Sequence, residues 1–495
     1  MDRHAARAEA HQLMRLAAAL ALMFTCGTAH AQVIDTLALR AHTAVLAHDS
    51  MAGRGTGTPG ARAAARYIAG ELDRIGLRAP APGFLQPVPL RAATFGNATS
   101  LVVRAGTRAE RFTHGRDFAV VVGGRRSLRD ASGNAVLVGS ADQAVRAADT
   151  GIAGAAIVVL GTLGDHAGPL LRRWTAAGAQ AVVLLIPDDD AFRSYAEQFA
   201  SRPFYVDADV DEPHWQPDLP VVLAGRAVAE ALLDALALPL AMSDADAFQP
   251  LPLRSSVDLS LDVSTSEAEA HNVAGILEGS DPARRDEVVV FTAHYDHLGI
   301  GPAEDGDSIY NGFSDNAAGV AMLLAIARAM HDAPPARSVL FLFLTGEEKG
   351  LLGSAYYAAA PLVPLVRTVA AINLDAGAPP VPPVSWRFAG DTTTALSRTA
   401  ARIAQARGWS VVRGPPRANS DHWPFSARGV PAIFVVPGPT WENTSDAERD
   451  RLRERWDHYH RAADHWHAEF PFAGLARYAE LAMLIGREIA DGNNE

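Results

Sequence analysis

A run of apolar and aromatic residues, Val339 to Leu344, stops abruptly at Thr345-Gly346 and two adjacent acids, Glu347 and Glu348. Nothing else in this chain limits its fold so tightly. An apolar run without alternation reads as a strand buried on both faces, the kind found in parallel sheets covered by helices on either side. Gly346 lets the chain turn at the strand end. Two neighbouring carboxylates at the C-terminal end of a buried strand repel each other and lose solvation. They need a compensating cation, or one of them must hold a proton. That edge of an open α/β sheet is also where ligands bind. The stretch therefore predicts a metal centre beside Glu347 and Glu348.

From about residue 256 onward, strand and helix patterns alternate. Buried strands are expected at Glu287 to Ala293, Val369 to Leu374 and Ala432 to Val436. A helix from about Asn316 to Met330 is apolar nearly all round, hence buried, and a last helix spans about Leu475 to Ala490. The alternation implies an α/β fold, with a mainly parallel mixed sheet flanked by helices. Upstream, residues 32–92 read as helix, glycine-rich loop (Met51 to Gly60) and helix (Ala61 to Ile75, stopped by Gly76). The loop lacks a preceding strand and a Gly-Lys-Ser/Thr ending, so it is not a phosphate loop. Residues 93–255 differ in texture, with short strand-like pieces separated by Gly, Asp and Ser, and read as a β-rich inserted domain. Within it, Asp188-Asp189-Asp190 reads as a solvated loop.

Arg3, Arg7 and Arg15 precede an apolar run, Leu16 to Phe24, that is too short to span a bilayer, and Ala29-His30-Ala31 offers a small-x-small cleavage pattern. Residues 1–31 thus read as a signal peptide and the protein as periplasmic or secreted. The single cysteine, Cys26, lies inside this segment, so the mature chain would have neither disulfides nor thiolate ligands. No other stretch is apolar for long enough to cross a membrane. The net charge of -12 argues against a nucleic-acid partner.

Three of the buried strands end in polar residues. His294-Tyr295-Asp296-His297 follow the first, Glu347 and Glu348 the second, and Asp375 the third, while Asp315 precedes the buried helix. Parallel strands place these ends on one edge of the sheet. Histidine and carboxylate donors without cysteine suit zinc or a related divalent ion in a catalytic role.

The blocks His294-Tyr295-Asp296, Asn311-Gly312-x-x-Asp315-Asn316-Ala317-x-Gly319, Thr345-Gly346-Glu347-Glu348-x-Gly350-Leu351-x-Gly353-Ser354 and Asn373-Leu374-Asp375 resemble, in this order, the co-catalytic zinc exopeptidases. That family includes secreted aminopeptidases and glutamate carboxypeptidases. Residues 177–182 are similar to its protease-associated insert domain. The resemblance implies two divalent ions, most simply zinc, and peptide substrates. It implies that His294, Asp315, Glu348, Asp375 and His460 bind metal, with Asp315 bridging and with His294 and Asp375 on different ions. It makes Glu347 the general base, and Asp296 the residue that orients His294. Tyr459 would donate to the developing oxyanion. His460 sits in Tyr459-His460-Arg461-Ala462-Ala463-Asp464, with His458, His465 and His467 as rivals for its place. An aminopeptidase is the first expectation. A carboxypeptidase or dipeptidase is its alternative, and an inactive binding protein the alternative of another class. The oligomeric state is left open. After Asp375 the chain reads Ala-Gly-Ala-Pro-Pro-Val-Pro-Pro, unlike the family, and a charged segment from Trp441 to Asp457 precedes the late histidine. The first is expected to shape the substrate pocket, and the second to add a helix near its rim.

Overall fold

The apolar runs form the middle of a nine-stranded sheet in a computed structural model that describes residues 34–200, 203–208, 218–233 and 249–492. The expected signal peptide and Cys26 lie outside these residues. Val288–His294 is the central strand. It runs parallel to Ser338–Leu344 on one side and to Thr368–Asn373 on the other. Ala432–Pro437 continues the parallel order beyond Thr368–Asn373. Ser385–Gly390 and Ser410–Gly414 then complete that flank, the former antiparallel to Ala432–Pro437. On the other flank, Val263–Leu277 lies antiparallel to Ser338–Leu344, and Leu85–Phe95 antiparallel to Val263–Leu277. The centre is parallel as expected, but antiparallel strands on both flanks make the whole sheet mixed. The Leu85 and Val263 strands escape a sequence reading because their paired outer parts carry exposed polar residues such as Glu267 and Ser266.

Every residue of Ser338–Leu344 is buried, and the reason is visible in the packing. Val339, Phe341 and Phe343 point into the larger core, with the buried helices Ala318–His331 and Ala473–Ala490. Leu340, Leu342 and Leu344 point the opposite way, toward Tyr357 and Phe425. Each such side chain removed from water contributes about 1.5–3 kcal/mol. Phe291 and Phe341 stack with ring centroids 5.6 Å apart.

Helix Pro59–Ile75 begins at Thr58, whose Oγ1 accepts the Ala61 N–H, and ends at Gly76 in the left-handed region (φ 94°). After Phe95 the chain builds an eight-stranded sheet, and it rejoins the first sheet at Val263. Among the described residues of that excursion, only Phe204–Val206 pairs back onto Leu85–Phe95. Leu251–Ser260 crosses the boundary expected at 255–256 and pairs with Ser100–Ala105 and Ala131–Leu137. Asp188-Asp189-Asp190 does not form a loop. Asp188 Oδ1 accepts the Ala191 N–H at 2.8 Å, and helix Asp189–Ala200 follows, because acidic side chains satisfy the free N–H groups of a first turn. Among the described residues no helix is long and apolar enough to cross a membrane.

Candidate metal centre

Register places the donors. His294 is level with Leu344, and Thr292 with Asn373, so the three central strands release their chains at one edge. Asp315 reaches the same edge from the turn before helix Ala318–His331. There the Asp315–Asn316 peptide is cis. The buried Asp464 holds this turn by accepting the N–H groups of Ser314 (3.0 Å) and Asp315 (3.3 Å).

The side chains gather into two adjoining groups, His294 with Glu347 and Asp375, and His297 with Asp315, Glu348 and His460. His294 Nε2 lies 2.9 Å from Asp375 Oδ1 and 3.1 Å from Asp315 Oδ1. His460 Nε2 lies 3.0 Å from Asp315 Oδ2 and 3.3 Å from Glu348 Oε2. Asp315 thus turns one oxygen to each group. The expected separation of His294 and Asp375 is corrected here: they face each other, because their strands are direct neighbours in the sheet. His458, His465 and His467 stay out of the cluster, whereas His460 enters it from a left-handed backbone (φ 58°).

The residues fit a divalent cation. The buried His460 Nε2 makes no hydrogen bond although two carboxylate oxygens lie within 3.3 Å, so it aims between them rather than at either. Electrostatics agree. Loss of water pushes the partly exposed Glu347 carboxyl well above the usual carboxylate range; His294 opposes this, and Asp375, Glu348 and Asp421 add to it. Burial also raises Asp375, against the pull of His294. Burial and Asp315 would raise Glu348 as well, but His297 and His460 hold it at about 2. Burial opposes a charge on His460, yet Asp315 and Glu348 push it up to about 10. Without a cation, protons favoured on Glu347, Asp375 and His460 must balance the charge that Glu348 keeps.

Hydrogen bonds fix the donors from behind. Thr292 Oγ1 donates to Asn373 Oδ1 (2.7 Å), Asn373 Nδ2 to Ser420 Oγ (2.7 Å), and Ser420 Oγ to Asp375 Oδ2 (2.5 Å). This chain occupies one oxygen of Asp375 and leaves Oδ1 for His294. Asp296 meets the other ring nitrogen of His294, Nδ1, chiefly through its backbone, with the carboxylate 3.8 Å away. Its main-chain carbonyl, not its carboxylate, lies 3.0 Å from His294 Nδ1. The carboxylate instead accepts Thr56 Oγ1 at 2.6 Å and the Glu347 N–H at 3.2 Å, tying the general-base candidate to the strand end.

Two participants escape the sequence reading. Arg54, in the glycine-rich loop, is fully buried and donates to the carbonyls of Tyr295 (2.7 Å), Leu46 (2.6 Å), Asn311 (2.5 Å) and Gly312 (2.8 Å). It clamps the segments carrying His294 and Asp315 together. A lone arginine among glycines was the available signal. His297 is the other, and its adjacency to His294-Tyr295-Asp296 was visible but had no assigned role. Tyr459 stacks on His460 with centroids 3.8 Å apart and is largely exposed at the pocket mouth.

Beside Asp315 and Asp375 opens a pocket of about 350 Å³. One wall is Ala376 to Pro380, and the other carries Trp441, Leu452, Arg453, Trp456 and Asp457. The loop after Asp375 lines this pocket, and the charged segment adds a helix at its edge. Helix Asp446–Trp456 supplies the second wall.

Residues 272–484, which hold all of these donors, match the family described as Peptidase family M28. This stretch is similar to an M28 peptidase domain. Aminopeptidase YwaD of Bacillus subtilis is 26% identical over 222 residues, 42% of this chain and 43% of that protein. The probable leucine aminopeptidase 2 of Aspergillus oryzae is 36% identical over 102 residues, 21% of this chain and 18% of its own length. The chain spans less than half the length of these curated relatives. The fold is similar to that of the aminopeptidase from Aneurinibacillus sp. strain AM-1, with a TM-score of 0.52 at 16% identity over 93% of this chain and 94% of that one.

Proposed function

We propose that the protein is a zinc-dependent aminopeptidase that removes N-terminal residues from peptides. The observation that carries this reading is the position of Glu347, a carboxylate with a raised proton affinity, against His294 and Asp375 in a cluster of donors suited to divalent ions. His294, Asp315 and Asp375 would hold one ion, and Asp315, Glu348 and His460 a second. Divalent ions bound there supply a Lewis acid for the scissile carbonyl and acidify an attacking water. Glu347 takes the proton of that water and delivers it to the leaving amine. Asp296, through the Glu347 N–H, keeps that carboxylate at the reacting edge. Tyr459, at the pocket mouth beside His460, would donate to an oxyanion.

Asp315 and Asp375 are committed to the ions, so among the acids lining the pocket Asp457, beside the Arg453 guanidinium, is the carboxylate left to meet a free ammonium. The apolar surfaces of Trp441, Leu452 and Trp456 suit the side chain of the terminal residue. The relatives' names, aminopeptidase YwaD and probable leucine aminopeptidase 2, support the same class. Arg453 favours the one competing reading, recognition of a substrate carboxylate. Retention of the whole donor set speaks against an inactive binding protein. We further propose that the excursion between Phe95 and Val263 is an inserted domain of the protease-associated kind, and that residues 1–31 export the chain.

The test is metal analysis together with hydrolysis of amino-acid amides by wild type and Glu347→Gln. About two ions per chain are expected in both, with turnover lower in the variant by about a thousandfold or more. A metal-free wild type or an unimpaired variant would overturn the proposal. Peptides blocked at the N-terminus should resist cleavage. Their hydrolysis would favour the carboxylate reading.

A further inference from the structure

His297 belongs to no motif that the chain shares with the exopeptidases, yet it is fully buried inside the donor cluster. Its Nδ1 lies 2.7 Å from Glu348 Oε1, while the other oxygen of that carboxylate, Oε2, faces His460. The backbone builds a slot for the ring. The His297 N–H donates to the Arg54 carbonyl at 3.2 Å. A Cβ at Gly312 would stand 2.5 Å from His297 Cγ and Cδ2, so Gly312, at φ +58°, leaves the space the imidazole fills.

The two ring nitrogens distinguish a ligand from a clamp. A metal-bound imidazole almost always donates its second N–H to a carboxylate or carbonyl. His294 has that arrangement, with Nε2 on Asp315 and Asp375 and Nδ1 on the Asp296 carbonyl. His297 does not. Its Nε2 is buried without a partner. Ligation through Nδ1 would put a proton on Nε2 and bury an unsatisfied donor, which is unfavourable. With the proton on Nδ1, the ring donates to Glu348 and Nε2 needs no acceptor.

We infer that His297 is a positioning residue, which holds Glu348 Oε1 by an Nδ1–H hydrogen bond and leaves Oε2 as the single oxygen presented to the ion held with Asp315 and His460. This rests on the proposal that those residues hold a divalent ion. The role also explains why the glycine-rich loop packs on the active edge, since it carries both Arg54 and the carbonyl that seats His297.

The experiment measures zinc release from wild type, His297→Ala, His297→Asn and His297→Gln against chelators of graded strength, with circular dichroism of each metal-free protein as the folding control. The Asn amide can stand where Nδ1 stands, whereas the Gln amide reaches toward the Nε2 position. His297→Ala and His297→Gln should hold one of the ions about 10–100-fold more weakly, with the other unchanged, and His297→Asn should recover most of the loss. Equal affinity in wild type and His297→Ala would overturn the clamp. So would His297→Asn no tighter than His297→Gln, the pattern expected of direct ligation, and that comparison stands even if the Ala variant does not fold. A wild type that holds no zinc would instead remove the parent proposal.

Discussion

Arg54 shows how much of the centre depends on a single side chain that touches none of the reacting groups. Burial lowers its proton affinity, to about 10, and the carboxylates Asp464, Asp315, Asp296 and Glu348 act against that. It therefore stays charged at neutral pH, and its donors reach four main-chain carbonyls from three separate segments. Arg54→Met keeps the stem and removes every donor. It should destabilise the protein by about 3–5 kcal/mol in urea unfolding, and Arg54→Lys should recover only part of this, since an ammonium has fewer donors and no planar fork. Such a residue is hard to find from sequence. Its role is defined by partners up to 258 positions away, and a glycine-rich loop suggests flexibility rather than an anchor.

Elements position the site by lying close, and small residues permit the approach. Helix Ala473–Ala490 crosses the sheet at Gly486, where an added Cβ would come within 2.2 Å of the Phe291 ring. Phe291 sits three residues before His294 on the same strand, between the helix and Phe341. Gly486→Ala should cost about 1–3 kcal/mol of stability through overpacking, read as a lower urea midpoint with an unchanged slope. The element-level pattern was legible from the sequence. The buried strands and the last helix fall within a few residues of their expected places, because uninterrupted apolar runs and helical periodicity are local properties. The long antiparallel strands Leu85–Phe95 and Val263–Leu277 were not legible, since their exposed polar residues break any apolar run.

At the scale of the whole molecule, protons and metal compete for one cluster. In the metal-free site His460 holds a proton up to about pH 10, because Asp315 and Glu348 outweigh the effect of burial. An incoming ion must displace that proton, so zinc affinity should fall about tenfold for each unit of pH below 10 from this group alone. Titration calorimetry in buffers of different ionisation enthalpy would count the protons released, and a count of zero at pH 7 would contradict the assignment. Stability follows with a definite sign. A histidine raised above its unfolded value stabilises the metal-free fold fully below pH 6.5, and that contribution is lost as pH rises through about 10. Ligand binding works in the other direction, since zinc at about a thousand times its Kd adds about 4 kcal/mol. The gap in melting temperature between zinc-loaded and chelator-treated protein should therefore widen from pH 6.5 to pH 9.

From sequence alone, the chemistry of the donors and their common address could be determined. Apolar runs ending in His294, Glu347, Glu348 and Asp375 are written in consecutive residues, and parallel strands bring such ends to one edge. What each donor faces was decided only by tertiary structure. The pairing of His294 with Asp375, the use of the Asp296 carbonyl in place of its carboxylate, the hold of Arg54 on two distant turns and the seat of His297 against Gly312 all depend on how separate segments approach within a few ångströms. Packing sets those distances and the side-chain conformations that go with them, and no local pattern of residues encodes them.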